Sequence, residues 1–152
     1  MKIKIICIGK IKNQGHQTLQ AYYLKKLSFQ KLELIELADG KEKDPEKRLF
    51  KESERILEKI KPGEEVYLLD ELGKNPSSIE FSKRIEEHQN QSVKGLCFII
   101  GSSHGIHHSL KQKIKRKIGL SQMTLTHEMA RVFLLEQIYR AFAILSHSPY
   151  HH

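Results

Sequence analysis

Leu96-Cys97-Phe98-Ile99-Ile100 runs straight into Gly101-Ser102-Ser103-His104-Gly105. An apolar run of that length closing on a glycine-rich turn reads as a buried β-strand that delivers the chain to a tight bend. Glycine suits the bend because, with no side chain, it tolerates positive φ and lets backbone approach a ligand closely.

Working outward, the same strand–turn–helix unit recurs. Upstream, residues 1–9 alternate and end at Gly9, and Asn13-Gln14-Gly15 marks a turn. Leu19, Tyr22, Tyr23 and Leu27 have helical spacing over residues 18–27, and Leu32 to Leu37 reads as a second strand. Asp44 as N-cap and Pro45 in the first turn open a helix that stops at Pro62-Gly63. Val66 to Leu69 is a short apolar strand, and Ser77 with Glu80 forms a capping box for a helix over 78–89. Downstream, residues 107–118 read as a basic helix capped by Gly119, and Leu120 to Thr126 as a weakly alternating strand. Glu128 to Leu145 reads as a long, mostly apolar helix, followed by a polar tail from Ser146 to His152. Strands alternating with helices about five times predict an α/β layer with a mostly parallel sheet, in one domain spanning 1–152 without linker or repeat. Ligands in such sheets bind beyond the carboxyl ends of strands, which singles out Asp70 to Gly73, Gly101 to Gly105, and Leu120 to His127.

Of 152 residues, 26 are Lys or Arg and 18 Asp or Glu, a net charge of +8. The longest apolar run is about five residues against the roughly 18–20 of a membrane span, and the N-terminus lacks a cleavage site, so neither membrane nor secretion is expected. Cys7 and Cys97 lie in apolar runs and read as reduced core residues of a cytoplasmic protein. Neither G-x-G-x-x-G nor a P-loop is present. Lys111, Lys113, Lys115, Arg116 and Lys117 concentrate five cations in seven residues, either a solvated helix face or a footprint for a polyanion.

Gly101 to Gly105 also matches G-x-S-x-G, which would make Ser103 a hydrolase nucleophile, with Glu136 and then His147 or His151 completing a relay. No Asp follows residue 70, and the chain is short for that fold. His104, His107 and His108, or His147, His151 and His152, lack a carboxylate or thiolate spaced to complete a metal site, so no metal is expected. A non-enzymatic ribosome-binding protein is the third reading. In the last helix His127 and Arg131 share one face, and Glu136 and Arg140 lie roughly opposite. Apolar residues on nearly all sides require burial on two sides, one of them a sheet and the other a candidate second subunit.

An ordered set of motifs resembles the large-subunit ribosomal RNA methyltransferase H family across the whole chain. It comprises Leu68-Leu69-Asp70-Glu71-x-Gly73-Lys74, Phe98-Ile99-Ile100-Gly101 with Gly105, and Leu120-Ser121-x-Met123-Thr124-Leu125-Thr126-His127. Arg131-Val132-x-Leu134-x-Glu136-Gln137-x-Tyr139-Arg140-Ala141 and the terminal Tyr150-His151 complete it. Two positions depart from the family pattern: Ser102 replaces a second glycine, and His152 replaces a terminal basic residue.

The resemblance implies a SPOUT-type fold with a C-terminal trefoil knot, against the general rule of unknotted connections. It implies a homodimer that uses S-adenosylmethionine to methylate N3 of a pseudouridine in helix 69 of 23S rRNA on the ribosome. The donor would sit against Leu69, Gly101, Gly105, Leu120, Ser121, Gln122, Met123, Thr124 and Leu125. Because N3–H is a weak acid, transfer needs a base or an anion stabiliser. His127, Glu136 and His151 are candidates for the first role, and Arg131 and Arg140 for the second. Tyr150 would hold the flipped base, and the basic segment would contact RNA backbone.

Overall fold

The computed structural model describes residues 1–91 and 93–150. Five strands, β1 (Lys2–Ile8), β2 (Leu32–Leu37), β3 (Glu64–Lys74), β4 (Gly95–Ile100) and β5 (Arg116–Ile118), form one sheet in the order β2-β1-β4-β3-β5. Every pairing is parallel. Helices α1 (Gln14–Lys26), α2 (Pro45–Leu57), α3 (Ser78–Asn90), α4 (His108–Lys113) and α5 (His127–Leu145) cover both faces.

Local chemistry fixes the helix starts. Asn13, Asp44 and Thr126 each accept a backbone N–H with their side chains, and Ser77 and Glu80 bond reciprocally as a capping box. Alternate strand residues then divide two cores. Ile3, Ile5, Cys7, Phe98, Ile100 and Ile118 face α1, α3 and α5, whereas Ile6, Ile8, Leu68, Cys97 and Ile99 face α2 and α4. Each large aliphatic side chain so buried contributes roughly 1.5–3 kcal/mol.

Both cysteines are buried free thiols, and burial pushes each up to about 12. No helix among the described residues is long and apolar enough to cross a membrane.

Three expectations are corrected. The basic segment 107–118 is not one helix: α4 ends at Lys113 and β5 begins at Arg116. Ile114 packs in the α2/α4 core and Ile118 in the opposite one, which no single helical face allows. Gly119 is therefore not a helix cap; its N–H donates to the Lys74 carbonyl at 2.9 Å. Leu120 to Thr126 forms no strand. At the other end of the sheet β3 runs on to Lys74, with an irregularity between Leu69 and Lys74, both of which pair with Ile118.

Candidate functional site

The parallel strands end at one edge, where 101–105 follows β4 and 119–126 follows β5, whereas Asp70 to Gly73 lies within β3, which runs on to Lys74. A Cβ on Gly101 would lie 2.4 Å from Ile106 Cγ1 and 2.7 Å from the Gly105 carbonyl, so only glycine fits. Ser102 is buried and turned into its own loop: its Oγ accepts from the His104 amide at 3.4 Å and donates to the Gly105 carbonyl at 3.5 Å. The serine that replaces a second glycine is thus absorbed by the turn. Gly105 has φ +92°, and a Cβ there would meet open space within 4 Å.

Opposite lies Asp70. Its Oδ1 accepts from the Leu72 amide at 3.0 Å, and its buried Oδ2 lies 3.1 Å from Lys111 Nζ without a directed hydrogen bond. Burial works against this carboxylate's charge, but the Leu72 amide and Lys111 outweigh it and hold its pKa below the ordinary value. At the third segment a Cβ on Gly73 would lie 2.6 Å from Gly119 N, so the two backbones run side by side where no side chain fits. Leu72 and Met123 leave 84% and 78% of their surface exposed at this edge. Glycine backbone, the exposed Leu72 and Met123 and the Asp70 carboxylate paired with Lys111 stand at this sheet edge, groups that suit a ligand with an apolar body and a few polar groups. Leu69 and Leu120 pack against the core below.

The α5 candidates separate into two groups. His127 opens the helix, half-buried, beside the 119–126 segment. Arg131 is fully buried: Nη2 donates to the Gly9 carbonyl at 2.8 Å and Nη1 to Glu36 at 2.5 Å. Its guanidinium is therefore directed into the protein, with Nε buried and unpartnered, away from the surface. Glu136 lies nine positions beyond His127, roughly 14 Å at 1.5 Å per residue. There Arg140 donates to Glu136 Oε1 through Nε at 2.8 Å and Nη2 at 2.6 Å, and Tyr150 Oη donates to the same oxygen at 3.4 Å. The Arg140 guanidinium stands 4.8 Å from the Tyr150 ring centroid, and that ring packs edge-on to Tyr139 at 4.7 Å. Burial pushes the Tyr150 hydroxyl up to about 12, so it is a donor at neutral pH. His151 and His152 lie outside the described residues.

Two further readings resolve here. Ser103 is exposed, and its Oγ lies 3.3 Å from the neighbouring His104 ring; among the described residues no carboxylate joins them, so a hydrolase relay is not assembled. The histidines after the turn do meet an acid, one that sequence spacing could not reveal: Glu46 from α2 lies 2.8 Å from His107 Nε2 and 3.4 Å from His108 Nδ1. His107 Nδ1 accepts from the Ser109 amide at 3.2 Å and lies 2.7 Å from the Ser109 hydroxyl, and Glu46, His107 and His108 bring their ligand atoms within 4.8 Å of one another.

Of the basic cluster, Lys111 pairs with Asp70 and Arg116 with Glu65 at 3.1 Å. Lys113 and Lys115 are exposed and form no ion pair among the described residues, and Lys117 is half-buried on β5.

A parallel sheet with three glycine-pinned segments at its carboxyl edge is the architecture of an α/β ligand-binding enzyme. The family model described as "Predicted SPOUT methyltransferase" matches residues 1–151, and the chain belongs to that family. Three relatives bear the name "Ribosomal RNA large subunit methyltransferase H". The one from Flavobacterium psychrophilum is 44% identical, over 100% of this chain and 99% of the relative. That from Streptococcus uberis is 45% identical over 99% of each chain. That from Gloeobacter violaceus is 37% identical over 100% of this chain and 99% of its own.

Proposed function

We propose that this protein transfers a methyl group from S-adenosylmethionine to large-subunit ribosomal RNA, at N3 of a pseudouridine in helix 69 of 23S rRNA. In this reading it is a single domain over 1–152 that works as a homodimer in the cytoplasm without a metal. The observation that carries it is the coincidence of full-length family similarity with the glycine backbone and side chains at the carboxyl edge.

S-adenosylmethionine supplies an activated methyl group on sulfonium. The chain's part is to align the acceptor nitrogen, exclude water and manage one proton. Backbone at Gly101 and Gly105, with Leu69, Ser121, Gln122, Met123, Thr124, Leu125 and the Leu120 base, forms the donor half. Arg140, held by Glu136 and stacked on Tyr150, is a cation placed to stabilise the imide anion, while Tyr150 packs the flipped base. His127, Glu136 and His151 are the proton acceptors to test.

The donor half lies at the N-terminal end of α5, and the Glu136–Arg140–Tyr150 group stands roughly 14 Å along it. A second protomer bringing its tail to this chain's donor half would close the gap, which favours the homodimer.

Calorimetry with S-adenosylmethionine should show binding, and labelled methyl should enter ribosomes or their large-subunit RNA. Absence of both overturns the reading. Mixing Gly101→Val protomers with Tyr150→Ala protomers should restore activity if the site is shared. No recovery would place donor and tail in one chain.

A further inference from the structure

Resting on the proposed methyl-donor site, we infer that Glu128 and Arg131 are positioning residues that hold the 119–126 segment in its donor-binding shape. The segment has no regular structure; the Ser121 hydroxyl accepts from the Met123 amide at 2.9 Å, and Met123 itself is largely exposed. Its shape is therefore set at its ends. At the first end, Gly119 is pinned against Gly73 and bonded to the Lys74 carbonyl. At the second end, Thr126 caps α5, and two side chains of the helix's first turns, Glu128 and Arg131, tie it to the β1–α1 connection and to β2.

Glu128 reaches across more than 100 residues of chain to do so. One oxygen accepts from the Lys12 amide at 2.8 Å; the other lies 3.3 Å from the Asn13 amide and 3.0 Å from His16 Nδ1. Arg131, one turn on, adds the Gly9 carbonyl and Glu36. Together they anchor the start of α5 to Gly9, Lys12 and Asn13, beside the ends of β1 and β2. Neither side chain needs to touch the donor. If the tie is cut, the segment samples other shapes, and apparent donor affinity falls by the fraction of time it spends in the competent one.

Glu128→Gln keeps an acceptor but loses the charge, and Arg131→Lys keeps the charge but loses the fork. Both should remain folded by circular dichroism. Each should bind S-adenosylmethionine about tenfold or more weakly, with faster amide exchange at 120–126 and unchanged affinity for ribosomal RNA. Lys4→Met serves as the control for general destabilisation. Lys4 is equally buried and bonds Glu64 and the Lys59 carbonyl, each at 2.8 Å, while Glu64 also accepts from the Lys61 amide. It should lower the melting temperature yet leave donor affinity as in wild type. Wild-type affinity in both Glu128→Gln and Arg131→Lys, or an equal loss in Lys4→Met, overturns the inference alone. A wild-type protein that binds no donor overturns the proposed function and the inference with it.

Discussion

Arg131 and Arg140 lie on one helix, each with a glutamate, and the two pairs do opposite things. Arg131 is 0% exposed, and its guanidinium donates to Glu36 on β2, to Gln20 on α1 and to the Gly9 carbonyl. Arg140 keeps 26% of its side chain exposed and pairs with Glu136 one turn earlier on its own helix. The first arginine ties α5 to α1, β2 and the end of β1; the second pairs within its own helix and lies beside Tyr150. On α5, then, burial and the reach of the partner separate scaffold from chemistry, whereas residue type and sequence spacing do not.

The sharpest way to break that contrast is Arg131→Met. Removing one member of a buried pair costs about 3–5 kcal/mol; Glu36 keeps 27% of its side chain exposed, so the lower end, about 3 kcal/mol, is expected in denaturant unfolding. Arg140→Met should cost less stability, because Arg140 itself keeps contact with solvent and Tyr150 still donates to Glu136, yet lower methyl transfer by about 10²–10³-fold. Comparable stability losses in the two variants would erase the distinction. A fully active Arg140→Met would remove Arg140 from the chemistry.

Acid sharpens the contrast further. Hydrogen bonds from the Lys12 amide and His16 hold the Glu128 carboxyl at about 2, below its ordinary 4.5. A carboxylate whose pKa is depressed by folding stabilises the protein above its unfolded pKa, and that contribution is lost as pH falls toward the folded value. Wild-type stability should therefore decline between about pH 4.5 and 2 more steeply than that of Glu128→Gln. Parallel acid curves would mean that the clamp contributes little.

Much of this was legible in the sequence, for local reasons. Caps at Asp44 and Ser77 act within four residues, and the alternation of β1 and the apolar run of β4 are unambiguous. The turn at Gly101 to Gly105 follows its strand as the apolar run predicts, whereas Asp70 to Gly73 lies inside β3 and Leu120 to Thr126 forms no strand. What failed was non-local. Ile114 and Ile118 have helical spacing, but the chain turns between them and sends each to a different core. Gly119 sits where a helix cap would, yet its role is set by Gly73 on another strand. Arg131 carried no mark of burial, because its partners lie 95 and 122 residues away. Glu46, which meets His107, was equally invisible.

The same difference in partners divides the basic cluster, where the smallest effect is expected. Lys111 neutralises buried Asp70 and Arg116 pairs with Glu65, so neither side chain is free for phosphate, whereas Lys113 and Lys115 face solvent. Each phosphate contact contributes about 0.7 to 0.9 to the slope of log affinity against log salt. Lys113→Ala with Lys115→Ala should flatten the slope for ribosome binding by about one to two and leave donor affinity alone. Lys111→Ala should do the reverse: little change in slope, but weaker donor binding, because Asp70 at the sheet edge loses its counter-charge. If all three lysines shift the slope equally, the ion pair with Asp70 does not survive contact with RNA, and α4 acts as one undivided cationic face.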